Sequence, residues 1–199
     1  MRRTGCSVLM MLALSACMSG PPVRSVALAG GAVLAQAPEG YCVDPTASRP
    51  IDGFAVMAPC ATLGHAVAPP SLLGLATVQV GDAGSHAVAG AEQDWQRLLE
   101  SESGAALLSK NGEGDTVTVL GAQAQANRVK VYFADTAPPP MPGLQAQEWR
   151  AFLDLNGRLV TVGVRGLASA PLTDGTGGWL LDMMVKGLVD IASPTAAGT

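Results

Sequence analysis

The stretch EWRAFLDLNGRLVTVGVRGLA, Glu148 to Ala168, constrains the fold more than any other part of the chain. Two alternating apolar and polar runs flank Asn156-Gly157. A type I′ turn needs positive φ at both of its central residues, and Asn followed by Gly is the pair that adopts it most readily. A long antiparallel hairpin is therefore expected here, and it needs further strands or helices to bury its apolar face.

The neighbouring segments supply them. TVTVLGAQ (116–123) and NRVKVYFADT (127–136) are rich in β-branched residues, with Val129, Val131 and Phe133 expected on one face. SVALAGGAVLAQAP (25–38) reads as a hairpin turning at Gly30-Gly31, and GFAVMAPC (53–60) and LGLATVQVG (73–81) read as strands. Pro69-Pro70 interrupts regular structure between the last two. From Glu92 the pattern turns helical, with Trp95, Leu98, Leu99 and Glu102 at helical spacing and Gly104 expected to end or bend the helix. A closing helix is expected to open at Gly177-Gly178, with Trp179, Leu180, Met183, Met184, Leu188 and Ile191 on one buried face. The expected class is α+β: an antiparallel sheet with an amphipathic middle helix and a C-terminal helix packed on it.

The N-terminal segment reads as an address. Met1 to Gly5 is short and basic, and Cys6 to Ala16 is an uncharged run of eleven residues. That run is too short to span a bilayer, which takes roughly 20 apolar residues. A basic start, an apolar run and small residues before a cut make an export signal. Leu14-Ser15-Ala16-Cys17 resembles a bacterial lipobox, which implies lipidation of Cys17 and attachment to a membrane through N-terminal acyl chains. The expected organisation is a lipoprotein signal peptide at 1–16, a short tether at 17–24, a single α+β domain at 25–192 and a disordered tail at 193–199. Met18, rather than Asp, follows the lipidated position, which in organisms that use an Asp retention signal implies sorting toward the outer membrane. The expected location is the cell envelope, facing the periplasm.

Removing residues 1–16 takes away Arg2 and Arg3, so the formal charge moves from −4 to −6. An acidic chain without a basic run has no electrostatic footprint for nucleic acid. In an oxidising compartment the remaining pair, Cys42 and Cys60, reads as a disulfide; two free buried thiols, or a redox or nucleophilic pair, are the alternatives. His65 and His86 lie in separate small-residue loops without Asp, Glu or Cys at ligand spacing, so neither a metal site nor a cofactor is expected. Glu100 and Glu102, two apart on a helix, point in different directions. The glycine-rich turns VGDAGSHAVAG and TDGTGGW lack the residues of a phosphate or dinucleotide loop. No catalytic residue is expected.

The order of hairpin, GYCVDP, GFAVMAPC, middle helix, long strands and GGWLLDMMVKGLVDIA resembles an alphaproteobacterial envelope lipoprotein family, over nearly all of the chain after residue 16. Its layout is also similar to the PsbP-like α+β fold. Neither resemblance implies a catalytic residue. The expected role is a noncatalytic binding or scaffolding module whose partner is another envelope protein. Two alternatives stay open: a small envelope enzyme using Cys60 and His65, and a carrier that holds a small apolar ligand between sheet and closing helix.

Overall fold

The computed structural model describes residues 20–191. The expected signal peptide at 1–16, the expected lipidation site Cys17 and the expected tail at 193–199 lie outside the described residues. Among the described residues, ten strands and three α-helices follow in the order β1 (Ser25–Leu28), β2 (Val33–Gln36), β3 (Tyr41–Val43), β4 (Phe54–Pro59), β5 (Gly74–Val80), α1 (Glu92–Leu99), α2 (Glu102–Leu108), β6 (Val117–Gln125), β7 (Arg128–Asp135), β8 (Gln147–Leu155), β9 (Arg158–Gly166), α3 (Asp174–Lys186) and β10 (Leu188–Asp190).

β3 to β9 form one antiparallel sheet in the order β3-β4-β5-β9-β8-β7-β6, and β1, β2 and β10 form a second, smaller one. The Asn156-Gly157 turn forms as the sequence requires, with φ of 51° and 66°. It sets the β8–β9 register that pairs Leu155 with Arg158. The class is α+β.

Because strand residues alternate between faces, the large sheet carries a core on each side. On one face Val78, Val162, Val164 and Trp149 meet Leu180, Leu181 and Met184 of α3 and Leu28, Val33 and Ala35 of the small sheet. On the other, Val129, Val131 and Phe133 share one face, as expected, and pack with Phe152 against Leu99 and Leu108 of α1 and α2.

Three helix boundaries differ from the sequence reading. The middle helix breaks before Gly104, at Glu100 and Ser101. Ser101 Oγ caps α2 by accepting from Gly104 N at 3.2 Å. Gly104 lies inside α2 and packs so closely on the end of α1 that a Cβ would stand 1.9 Å from the Leu98 carbonyl oxygen. The closing helix begins at Asp174 rather than at Gly177. Thr173 caps it in a reciprocal box, donating from its N to Thr176 Oγ1 at 2.8 Å and accepting from Thr176 N at 3.3 Å.

The helix also ends sooner than its apolar stripe implied. At Gly187 a Cβ would meet the Gln36 carbonyl oxygen at 2.1 Å, and Gln36 N donates to Gly187 O at 2.9 Å. The chain joins the small sheet at that point, so Leu188 belongs to β10, paired with Ala35, and Ile191 follows it. Leu180 and Met184 of the expected stripe are buried, together with Leu181. Trp179 is not: it is 54% exposed.

Candidate functional site

Cys42 and Cys60 are joined by a disulfide, with 4.9 Å between their Cα atoms. Cys42 lies on β3 opposite Ala58 of β4, and Cys60 follows β4 directly, so strand pairing places the two residues together. His65 touches this region through its backbone, donating to the Cys60 carbonyl at 3.1 Å. With its sulfur in the cystine, Cys60 has no thiol, and the enzyme alternative loses its nucleophile. His86 stands apart, its Nδ1 3.4 Å from the Gly157 carbonyl oxygen. Among the described residues no group of three or more His, Cys, Asp or Glu side chains is placed to hold a metal, and no helix is long and apolar enough to cross a membrane.

A buried ion network, absent from the sequence reading, crosses the centre of the sheet. Glu148 and Arg150 lie two apart on β8 and share a face, and Arg165 reaches them from β9. Arg165 donates from Nε at 2.8 Å and Nη2 at 2.6 Å to Glu148 Oε2; Arg150 does the same to Oε1 at 2.8 and 2.7 Å. Arg165 also donates to the Gln145 and Ala146 carbonyls, and Arg150 to that of Leu108. The adjoining hollow holds about 180 Å³. One carboxylate holds two guanidinium groups, and both of these also donate to backbone carbonyls. This arrangement solvates charge inside the fold and ties α2 and the 136–146 loop to the sheet. The signal for it was the charged pair at 148 and 150, two apart and so on one face of a strand that also carries Trp149, Ala151, Phe152 and Leu153.

The more open feature lies beside α3. Tyr132 of β7 and Trp149 of β8 stack with ring centroids 4.7 Å apart and planes 11° from parallel. Trp149 Nε1 lies 3.4 Å from Asp174 Oδ1, which links the stack to the start of α3. Burial, and then the charge of Asp174, push the Tyr132 phenol above its ordinary pKa. Next to the stack, Leu120, Lys130, Tyr132, Asp174, Trp179 and Asp182 line a cleft of about 430 Å³. Lys130 Nζ bonds Asp182 at 3.1 Å, and Arg128 lies 3.5 Å from the same carboxylate. On the other side of Trp179 a second hollow, of about 510 Å³, is lined by Tyr41, Pro70, Leu72 and Met183 among others.

Trp179 thus stands as an exposed indole between two clefts, where the sequence reading counted it as core. The space between sheet and helix that an apolar ligand carrier needs is filled: Leu180, Leu181 and Met184 are 2%, 1% and 1% exposed. The open volume lies along the edges of the helix instead.

No family model matches the chain, and no curated protein matches it. Among solved structures it is similar to a point mutant of the protein Mog1, with a TM-score of 0.50 at 16% identity over 85% of this chain and 96% of that one. The Saccharomyces cerevisiae Ran-binding protein Mog1p gives 0.49 at 16% identity over 84% and 95% of the two chains. Cyanobacterial PsbP from Synechocystis gives 0.47 at 11% over 90% and 98%. At these identities the likeness is one of fold, an antiparallel sheet with helices packed on it.

Proposed function

We propose that this chain is a noncatalytic binding or scaffolding module, held at a bacterial envelope membrane by lipidation at Cys17, that captures another envelope protein at the Trp179 cleft. The observation that carries the reading is Trp179 itself. A large aromatic side chain left 54% exposed between two clefts is the kind of anchor on which protein interfaces concentrate their affinity. The Leu14-Ser15-Ala16-Cys17 box supports the membrane attachment, and the Cys42–Cys60 cystine suits an oxidising compartment.

The test compares immobilised wild-type and Trp179→Ala protein as bait for envelope extract, with the captured proteins read by mass spectrometry. A specific partner is expected on the wild type, with recovery falling by about tenfold or more on the variant. The same proteins in the same amounts on both baits would remove Trp179 as the anchor. Anchoring is tested separately: Cys17→Ser is expected to leave the membrane fraction for the soluble periplasm or to persist as precursor, and unchanged fractionation and gel mobility would refute it.

A further inference from the structure

We propose that β6 takes up an extended segment of the partner protein as an eighth strand of the large sheet, and that this segment alternates apolar with basic side chains. The inference rests on the binding-module reading and specifies how the partner is held.

β6 is the outer strand at its end of the sheet. Its downstream half is already covered: the Gln96 amide of α1 donates to the Ala122 carbonyl at 3.2 Å and accepts from Ala124 N at 3.1 Å, as a neighbouring strand does. Upstream, at Thr118 to Leu120, no side chain or strand gives the outer edge such cover among the described residues. The β6–β7 register shifts between Val119 and Gly121, and Leu120, the extra residue of this bulge, is half exposed. An uncovered edge presents backbone donors and acceptors that a second chain can pair with.

A cleft opens on each face of this edge. On the α3 face is the aromatic cleft bearing Leu120, Tyr132 and Trp179. On the α2 face a cleft of about 570 Å³ is lined by Glu100, Glu102 and Asp115 around Ala105, Val117 and Val119, with no basic residue in its wall. The break between α1 and α2 brings Glu100 and Glu102 to this one cleft, where an unbroken helix would have pointed them apart. Side chains of an added strand alternate between the two faces. One set meets the aromatic and aliphatic wall of the α3 face, where Asp182 is already paired with Lys130 and Arg128 and Asp174 lies against Trp149 Nε1; the other meets three carboxylates with no basic residue beside them. That arrangement fits strand-addition recognition, in which backbone pairing gives affinity and alternate pockets give specificity. It also selects against a second copy of this chain. Two β6 edges paired antiparallel carry both acidic clefts on one face, and β6 itself, VTVLGAQAQ, has no basic side chain to offer.

The test uses the mature full chain and three synthetic heptapeptides: lysine alternating with valine and phenylalanine, the same peptide with glutamate for lysine, and the lysine peptide N-methylated along one edge. The lysine peptide is expected to slow amide hydrogen exchange at the β6 edge around Leu120 and to bind about tenfold or more tightly than the glutamate peptide, while the N-methylated peptide binds far more weakly. The double variant Glu102→Lys, Asp115→Lys is expected to reverse the preference between the first two. No binding by the lysine peptide, equal binding of the lysine and glutamate peptides, or binding without protection on β6 overturns strand addition. Loss of the partner in the Trp179→Ala experiment together with any of these results leaves the binding module standing and removes only its proposed mode.

Discussion

Gly177 lies directly against the indole of Trp149: a Cβ at position 177 would stand 2.4 Å from both Cδ2 and Cε2 of the ring. This contact, rather than turn chemistry, explains a glycine inside α3. It brings the helix close enough for Leu180, Leu181 and Met184 to fill the core and sets the height of Trp179 over the neighbouring cleft. Gly177→Ala is expected to destabilise the protein by about 1–3 kcal/mol through overpacking. Gly175→Ala, where a Cβ meets nothing within 4 Å, is expected to be neutral or stabilising by up to about 1 kcal/mol. Urea midpoints of the two variants check the pair, and equal shifts would contradict the packing account.

Along the same helix, Leu180 is buried whereas Asp182 is partly exposed and paired with Lys130 and Arg128. Leu180→Ala is expected to cost about 2–5 kcal/mol by leaving a cavity. Asp182→Ala, which loses only a screened surface interaction, is expected to cost about 0–1 kcal/mol. Denaturant melts of the two variants separate these ranges.

Much of this architecture was legible locally. Asn156-Gly157 announces its turn because few other residues take positive φ twice in succession, and Val129, Val131 and Phe133 announce their face because strand periodicity is strict. What was not legible depends on distant partners. Leu188-Val189-Asp190 is too short to read as a strand, and it becomes one only by pairing with Val33 to Ala35. The apolar stripe of α3 says that the helix packs but not where the covering surface stops, and Trp179 lies beyond that limit, 54% exposed. The ion network needed Arg165 from a second strand, and the glycines at 104 and 177 answer to contacts with Leu98 and Trp149.

Asp154 offers a pH-dependent test. Its carboxylate accepts from three successive backbone N–H groups, Ala87 at 3.0 Å and Val88 and Ala89 at 2.8 Å each, and so fastens the 82–91 loop to the β8–β9 hairpin. Burial pushes this carboxyl up, but the three N–H groups and nearby His86 outweigh it and hold its pKa below the ordinary value. A carboxyl depressed in the folded state adds stability that is fully present above the unfolded pKa of about 3.9 and is lost as the pH falls through the lower folded value. Asp154→Asn is expected to cost about 1–3 kcal/mol at neutral pH, with the gap to wild type closing below about pH 4. Urea midpoints across a pH series measure it, and a gap independent of pH would contradict the assignment.

The cystine closes the loop from β3 to the end of β4. Cys42 and Cys60 are expected to resist alkylation until reduced, and Cys60→Ala is expected to lower stability by about 2–5 kcal/mol. Thiol labelling of native, unreduced protein checks the first point and calorimetry the second. Rapid labelling of both residues would restore a free thiol to Cys60 and reopen the enzyme reading.

The central claim is that a partner sits on the Trp179 side of the molecule, and site-directed photo-crosslinking in intact cells tests it most directly. A photoreactive phenylalanine analogue replaces Trp179 in one strain and Ile51, 93% exposed on the β3–β4 loop, in another. Irradiation is expected to give one discrete heavier adduct from position 179 and none from position 51. No adduct at 179, or the same adduct pattern at both positions, would contradict the account.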